Sequence, residues 1–155
     1  MTRAEYAEQR FSWNDIDLLV NKLAAQLRGQ HFDLFLGICR GGLIPAGLLA
    51  KRLNHFHLLV ASMRYYDDED NRLAEPVILE LPEPDTLRGK RVLIIDDVWD
   101  SGNTIDRIKK HVLAAGGKPL VATLHFKPKR SEVPGKPDFY GEQTDAWIVY
   151  PWELL

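Results

Sequence analysis

The sequence predicts an α/β fold in which a parallel sheet carries helices on both faces. Two segments support this prediction, residues 34–53 and 92–115, because each runs from an apolar strand through a short loop into a helix. Further strands are predicted at 55–62, 77–81 and 120–126, the last of which should end the parallel sheet. Strands that alternate with helices form parallel sheets through right-handed crossovers, and ligands bind at the carboxyl edge of such sheets.

The composition is typical of one ordinary globular domain. The chain has 155 residues, a hydrophobic content of 45% and a formal net charge of −2 at pH 7. That length suffices to bury a core without disulfides, and the lack of a basic excess argues against a nucleic-acid-binding protein. The single cysteine, Cys39, fits a reducing compartment, and no apolar stretch approaches membrane-spanning length. We therefore expect a single cytoplasmic domain over residues 1–155, with no membrane or nucleic-acid partner.

The first predicted element is a helix that begins after Ser12, a favourable N-cap residue, and ends at Gly29. Its apolar residues recur at helical spacing and form one stripe: Trp13, Ile16, Leu19, Val20, Leu23 and Leu27. We expect this helix to have a structural role.

The strand at 34–38 leads into a loop that contains Arg40, Gly41 and Gly42, and then into a helix over about 43–53. Paired glycines at the carboxyl end of a strand make backbone N–H groups accessible, so with a neighbouring cation they suit a polyphosphate. Tight turns use the same residues, and the loop alone is therefore weak evidence for a binding site.

The strand predicted at 55–62 contains two histidines, His55 and His57, which would share one face of that strand. A metal site needs a third ligand and the sequence offers none nearby, so we expect these histidines to be structural. The polar segment that follows is by itself typical of a solvated acidic loop.

The main chemical pattern of the chain lies in residues 92–104. Four apolar residues predict a strand buried on both faces, and two carboxylates, Asp96 and Asp97, follow where that strand should emerge. A third acid, Asp100, precedes a loop at the start of a predicted helix. The hydroxyl, amide and glycine residues of this loop suit a phosphate: Ser101, Gly102, Asn103 and Thr104. The acids would repel a phosphate, so they fit a sugar diol, a divalent cation or a protonated ring nitrogen. A phosphorylated ribose combines these features; the alternative is a strand that ends in surface acids, with Asp100 as a helix cap.

Residues 92–104 resemble the phosphoribosyl pyrophosphate (PRPP) signature of the type I phosphoribosyltransferases. That signature has four apolar residues, two acids, two variable residues and then Asp-Thr-Gly-x-Thr; Ser101 replaces the first threonine and keeps its hydroxyl. The resemblance implies the fold of that family with a small hood, formed mainly by residues 128–155. It also implies that Asp96 and Asp97 bind the ribose hydroxyls and Mg²⁺, directly or through water. The 101–104 loop would bind the 5′-phosphate, and Asp100 would act on N7 of a purine as the catalytic group.

Two further segments resemble parts of the same family. The loop with Arg40, Gly41 and Gly42 is similar to the pyrophosphate loop, often Ser-Arg-Gly-Gly, which commonly contains a non-proline cis peptide; Cys39 takes the place of the serine. The segment 64–75 is similar to a mobile flap that covers the substrate. In that flap Tyr66 matches the family's tyrosine, and Arg72 matches a basic residue that reaches pyrophosphate.

The last third of the chain resembles the 6-oxopurine branch of the family, above all the xanthine-guanine phosphoribosyltransferases. Lys127 matches the lysine that contacts the exocyclic oxygen of the base, and Trp147 and Ile148 match residues that pack against the purine. Glu153 stands where an aspartate near position 2 of the ring is common. Between these positions, residues 128–145 predict an irregular excursion.

The resemblance implies purine salvage: transfer of the 5-phosphoribosyl group from PRPP to xanthine, guanine or hypoxanthine, with Mg²⁺ as cofactor and a homo-oligomeric assembly, a dimer or a tetramer. Two alternatives remain. One is a non-catalytic PRPP- or nucleotide-sensing regulator on the same fold, although the chain has no added helix-turn-helix and no basic excess. The other is an orotate or adenine phosphoribosyltransferase, against which Lys127, Trp147 and Ile148 argue because they suit a carbonyl on a stacked purine.

Overall fold

The computed structural model describes residues 7–69 and 71–153. In chain order its elements are β1 (Glu8–Arg10), α1 (Trp13–Leu27), β2 (Leu34–Ile38), α2 (Leu43–Arg52), β3 (Leu58–Tyr66), β4 (Arg72–Glu80), α3 (Pro84–Leu87), β5 (Arg91–Trp99), α4 (Asn103–Ala114), β6 (Lys118–Phe126), β7 (Phe139–Gln143) and β8 (Trp147–Val149), followed by a 3-10 turn (Pro151–Glu153).

Six strands form one sheet in the order β4-β3-β2-β5-β6-β7. All neighbouring pairs are parallel except β3 and β4. The apolar run of β5 contributes to two cores, because Leu93 and Ile95 pack with α1 and α2 whereas Val92 and Ile94 pack with α4 on the other face. The predicted parallel sheet with helices on both faces is therefore confirmed, and β5 lies at its centre.

Helix α1 begins as predicted. The Ser12 hydroxyl accepts a hydrogen bond from Asp15 N–H at 3.1 Å, and the Asp15 carboxylate accepts one from Ser12 N–H at 2.7 Å, which completes a capping box. The predicted stripe is buried except for Trp13, which is 56% exposed. Trp13 occupies the first helical position, and its ring lies 5.9 Å from that of Trp152.

Strand β3 begins later and ends later than predicted. His55 and His57 precede it, so the expectation that they share a strand face is wrong. The His55 ring instead stacks on Phe35, with 4.0 Å between centroids and an interplanar angle of 15°. Within residues 7–69 and 71–153, no group of three or more His, Cys, Asp and Glu side chains could hold a metal ion. The stack on Phe35 makes His55 a packing residue.

The polar segment after residue 63 belongs to a β-hairpin and is not a loop, as the sequence alone suggested. Strands β3 and β4 are antiparallel, with Tyr66 opposite Arg72. The Asp67 carboxylate accepts hydrogen bonds from the backbone N–H groups of Glu69 and Asn71 at 2.9 Å each. This is turn chemistry typical of aspartate. The segment predicted to be a flap, 64–75, is therefore the end of this hairpin.

The prediction that residues 120–126 end the parallel sheet is wrong, because the sheet continues with strand β7. It pairs in parallel with β6, so residues 128–145 are not wholly irregular. The Asp138 carboxylate accepts a hydrogen bond from Val121 N–H at 2.8 Å and joins the start of β7 to β6. The sequence of β7, Phe-Tyr-Gly-Glu-Gln, has no apolar run or alternation, and for that reason its pattern did not predict a strand.

Strand β8 leaves the main sheet and pairs in parallel with β1, with Glu8 opposite Trp147 and Arg10 opposite Val149. Residues close to the N-terminus therefore pack with the segment that the sequence assigned to a hood. The extent of that hood, 128–155, and the single domain over 1–155 remain predictions. In the described part of the chain, no helix is long and apolar enough to cross a membrane.

Candidate active site

The two central acids, Asp96 and Asp97, lie near the carboxyl end of β5. Asp96 Oδ1 accepts a hydrogen bond from Asp97 N–H at 2.9 Å, and Asp97 Oδ1 accepts one from Val98 N–H at 2.8 Å. Burial raises the pKa of Asp96 well above its ordinary value, and the neighbouring Asp97 charge raises it further. Burial also raises the pKa of Asp97, although its hydrogen bonds lower that pKa in part. A cation or a donor-rich group beside this pair would therefore be favourable.

The arginine–glycine loop after β2 lies directly over Asp97. The backbone of Gly41 approaches the Asp97 carboxylate so closely that a Cβ atom at this position would overlap it, so only glycine fits. The peptide bond between Cys39 and Arg40 is cis, as is common in the family that the loop resembles. Burial raises the pKa of the Cys39 thiol, and the charge of Glu80 adds to this effect. Cys39 is therefore a neutral thiol where a serine is usual.

A cavity of about 670 Å³ opens beside this loop and is lined by Arg40, Gly41, Ile44, Asp97, Trp152 and Glu153. An arginine, a closely approaching backbone and a carboxylate thus line one space. This combination suits a polyphosphate together with a divalent cation. The structure brings together Arg40, Gly41 and Asp97, which the sequence assigned to pyrophosphate and metal.

The third acid, Asp100, contacts two cations from the segment after β6. Lys127 Nζ lies 3.1 Å from Asp100 Oδ2, and Arg130 Nε lies 2.6 Å from Asp100 Oδ1. The Lys127 residue is buried, with 3% exposed, and its Nζ lies 5.8 Å from the ring centroid of Trp147. A carboxylate acceptor and an ammonium donor therefore lie side by side, close to an aromatic face.

The loop before α4 has the geometry of an anion site. Gly102 has a left-handed backbone with φ of 83° directly before the first helical residue, and a Cβ atom there would overlap the Trp99 ring. The Ser101 hydroxyl accepts a hydrogen bond from Asn103 N–H at 3.3 Å. The free N–H groups of the first turn of α4 follow immediately, as a phosphate site requires.

The β3–β4 hairpin lies against this loop. The Thr104 hydroxyl donates a hydrogen bond to the Tyr65 hydroxyl at 3.1 Å. A cavity of about 370 Å³ lies between them and is lined by Tyr65, Tyr66, Arg72, Asp100, Ser101, Asn103, Thr104, Arg130 and Glu132. The predicted flap tyrosine, Tyr66, is 52% exposed, whereas its neighbour Tyr65 contacts the loop. Tyr65 is therefore a site residue that the sequence did not predict.

The predicted base-binding residues at the C-terminus occupy different surroundings. Trp147 lies beside Lys127, whereas Ile148 is 7% exposed and packs in the core with Phe11 and Tyr150. A contact between Ile148 and a base would therefore involve its backbone. The Glu153 carboxylate accepts a hydrogen bond from Tyr150 N–H at 3.0 Å and lines the cavity beside Arg40.

A family model described as the phosphoribosyl transferase domain matches residues 10–154. The chain belongs to the phosphoribosyltransferase family. The xanthine-guanine phosphoribosyltransferase of Gluconobacter oxydans is 32% identical to it over 148 residues, which cover 92% of this chain and 82% of that protein. The crystal structure of a purine phosphoribosyltransferase from Pyrococcus horikoshii is 34% identical, with a TM-score of 0.81 over 96% of this chain and 95% of that one. A hypothetical protein from Neisseria gonorrhoeae, solved with bound ppGpp, is 31% identical, with a TM-score of 0.82 over 97% and 91% of the two chains.

The family confirms the predicted fold and the predicted class of enzyme, a phosphoribosyltransferase. Besides Tyr65, sequence reasoning missed Arg130, which stands three residues after Lys127. The run Lys-Pro-Lys-Arg there is typical of a surface charge cluster, so its pattern did not indicate that Arg130 belongs to the site. The roles assigned to individual residues remain proposals.

The acids of this phosphoribosyltransferase fit Mg²⁺. Asp96 and Asp97 offer only carboxylate oxygens, the ligand type that Mg²⁺ prefers, and Mg²⁺ commonly binds one or two carboxylates while water and substrate oxygens complete its shell. Their Oδ1 atoms accept backbone N–H groups, and the Oδ2 atom of Asp97 lies against the backbone of Gly41. A bound cation would offset the repulsion and burial that raise the pKa of both acids.

Proposed function

We propose that this phosphoribosyltransferase transfers the 5-phosphoribosyl group of PRPP to a 6-oxopurine and releases pyrophosphate. The observation that supports this most directly is the contact between Asp100 and Lys127, 3.1 Å long. O6 and N7 are neighbours on one edge of an oxopurine. A lysine that donates to O6 beside a carboxylate that accepts from protonated N7 matches this edge, and Trp147 offers a face for stacking.

The proposed reaction forms a bond between N9 of the purine and C1 of the ribose while the bond from C1 to the pyrophosphate oxygen breaks. The purine loses one proton, from N7. Asp100 would accept the hydrogen bond from that N–H, raise the electron density at N9, and take the proton as the bond from N9 to C1 forms. Departure of pyrophosphate leaves oxocarbenium-like charge on the ribose. Arg40 would stabilise the negative charge that develops on the leaving group.

The remaining predicted residues have binding roles in this proposal. The 101–104 loop would bind the 5′-phosphate, and Asp96 and Asp97 would bind the ribose hydroxyls. Mg²⁺ bound beside these acids would neutralise charge on the pyrophosphate. The end of the β3–β4 hairpin, with Tyr66 and Arg72, would close over the substrate and exclude water, which otherwise hydrolyses PRPP.

A second candidate function is a nucleotide-binding regulator on the same fold. The Neisseria gonorrhoeae relative with bound ppGpp favours it, because ppGpp carries phosphate groups of the kind that the 101–104 loop and Arg40 suit. The contact between Asp100 and Lys127 favours the enzyme, since a regulator that recognises only a polyphosphate does not need that pair.

An assay with single bases tests the proposal. Purified protein, PRPP and Mg²⁺ are incubated with xanthine, guanine, hypoxanthine, adenine or orotate, and nucleotide and pyrophosphate are quantified. We expect turnover with at least one 6-oxopurine and little with adenine or orotate. Binding of ppGpp without turnover of any base would support the regulator instead.

We also infer that the protein is a cytoplasmic dimer or tetramer. The edge strand β4 supports self-association, because its apolar residues Val77, Ile78 and Leu79 are 41%, 56% and 57% exposed. Light scattering coupled to size-exclusion chromatography measures the assembly directly, and a monomer at micromolar concentration would contradict this inference.

A further inference from the structure

A buried chain of hydrogen bonds joins strand β6 to the acids at the end of β5. His125 is fully buried, and its Nδ1 lies 2.8 Å from the Tyr150 hydroxyl oxygen. The Tyr150 hydroxyl in turn donates to the main-chain carbonyl of Asp97 at 3.1 Å. None of the sequence motifs includes His125 or Tyr150 as a functional residue.

The direction of these hydrogen bonds follows from counting protons. A tyrosine hydroxyl has one proton, and Tyr150 gives it to the Asp97 carbonyl. His125 Nδ1 must therefore carry a proton and donate it to the Tyr150 oxygen. Its Nε2 is then unprotonated. This buried atom makes no hydrogen bond among the described residues, and the Glu142 carboxylate lies 3.7 Å from it. Burial and the charge of Lys127 lower the pKa of His125 to about 4, which agrees with a neutral ring.

Asp97 lies where the pairing of β5 becomes irregular. Pairing between β2 and β5 ends at Ile95. Pairing between β5 and β6 includes Asp96 with Thr123 and Val98 with His125, and its register omits Asp97. The Tyr150 hydroxyl thus binds the backbone of β5 at a point where the pairing with β2 has already ended.

Tyr150 itself is held firmly. Its ring stacks on Trp152 with 4.5 Å between centroids and an angle of 9°, and its N–H donates to Glu153. The Phe11 ring packs 4.5 Å from the His125 ring. The hydroxyl therefore has a fixed position, and the carbonyl that it binds is fixed in turn.

We infer that Tyr150 and His125 are positioning residues that fix the backbone of Asp97 and thereby orient its carboxylate for PRPP. This inference rests on the proposed function. The Asp97 carboxylate contacts the backbone of Gly41, so a small shift of the strand end changes the geometry of both the acid and the pyrophosphate loop. Displacements of about 1 Å in a site of this kind have large effects on binding and rate.

The variant Tyr150→Phe tests this directly, because it keeps the stacked ring and removes only the hydroxyl. We expect KM for PRPP and the Kd of PRPP with Mg²⁺, measured by calorimetry, to rise roughly tenfold, as when a buried acceptor loses its donor. KM for the oxopurine and kcat should change less than threefold. Tyr140→Phe is the matched control, since Tyr140 packs 5.5 Å from Phe126 in the other core, and it should leave KM for PRPP unchanged.

Two substitutions of His125 separate positioning from packing. His125→Asn retains a donor near the position of Nδ1 and should keep KM for PRPP within threefold of the wild type, whereas His125→Leu should raise KM for PRPP as Tyr150→Phe does. The double variant Tyr150→Phe with His125→Leu should be no worse than Tyr150→Phe in KM for PRPP, because both act through one hydroxyl. If Tyr150→Phe does not fold, the inference is tested by comparing KM for PRPP between His125→Asn and His125→Leu.

The outcomes distinguish this inference from the proposed function. An active wild type whose KM for PRPP is unaffected by Tyr150→Phe and by His125→Leu would overturn the inference and leave the function standing, even if both variants have a lower Tm. A wild type that neither turns over any base nor binds PRPP would overturn the proposed function and this inference with it.

Discussion

Arg130 Nε lies 2.6 Å from Asp100 Oδ1, while the other oxygen of this carboxylate contacts Lys127. Asp100 is therefore fixed from two sides by cations that follow β6. A carboxylate oriented in this way can present a defined oxygen to a ring nitrogen. We propose that Arg130 positions Asp100, a role that the sequence motifs did not indicate.

Arg130→Met should lower kcat roughly tenfold, because a hydrogen bond to a charged group contributes about 1.5–3 kcal/mol. KM for PRPP should remain within threefold of the wild type. The control is Arg88→Met, which removes an arginine that pairs with the exposed Asp85, away from the site and the hairpin. Equal effects of the two substitutions on kcat would argue against a positioning role.

Asp100→Asn should lower kcat about 10²–10⁴-fold, the usual contribution of a positioned acid–base group. Binding of PRPP, measured by calorimetry, should change little, since Asp100 is expected to contact the purine. Asp106→Asn serves as the control because Asp106 pairs with the exposed Lys110. Loss of PRPP binding with undiminished turnover of bound substrate would show that the role is wrong.

Lys127→Ala should reduce kcat/KM for guanine, xanthine and hypoxanthine at least tenfold. The wild type should discriminate against adenine, whose 6-amino group would place a donor against the buried ammonium group. An unsatisfied buried group costs about 1–3 kcal/mol, and more when it is charged. The measurement is kcat/KM for the four purines in both proteins. Efficient use of adenine by the wild type would contradict the assignment, as would a variant with unchanged oxopurine turnover.

The double variant Asp96→Asn with Asp97→Asn should bind PRPP and Mg²⁺ much more weakly than the wild type, yet have a higher Tm at pH 7. Burial raises the pKa of both acids, so their contribution to stability is complete below the ordinary aspartate pKa and is lost as pH rises through the raised value. The asparagine amides of the double variant are neutral at every pH, so this loss of stability does not occur in it. Calorimetry and thermal unfolding provide the two measurements, and unchanged PRPP affinity would count against the assignment of these acids.

His125 should make the protein less stable as pH falls from about 6.5 to about 4. Its folded-state pKa is lowered to about 4, so the unfolded chain binds a proton first, and stability that is complete above 6.5 is lost below it. At 1.36 kcal/mol per pKa unit the loss approaches roughly 3 kcal/mol. Because Asp96 and Asp97 act in the opposite sense, the test compares wild type with His125→Gln. Parallel curves of unfolding free energy against pH would contradict this prediction, and His57→Gln on the surface serves as the control.

The sequence alone determined the fold class, the family and the position of the PRPP motif. Residues 92–104 made this possible because their signals are local: an apolar run that is buried on both faces, then acids, then a glycine before a helix. Parallel sheets place such strand ends at one edge, so the loop after β2 could be predicted to lie near Asp97, and it does.

Only the tertiary structure decided which side chains contact one another within that edge. The contacts of Asp100 with Lys127 and Arg130 span 27 and 30 residues of sequence, and the hydrogen bond from Tyr150 to Asp97 spans 53. No periodicity marks these pairs, because each depends on how β6 and the C-terminal segment pack against β5. The same holds for β7, whose few apolar residues form a strand only because β6 offers an unpaired edge. The order of residues determines the local chemistry of a motif, whereas the packing of the strands determines which residues contact one another across the sheet.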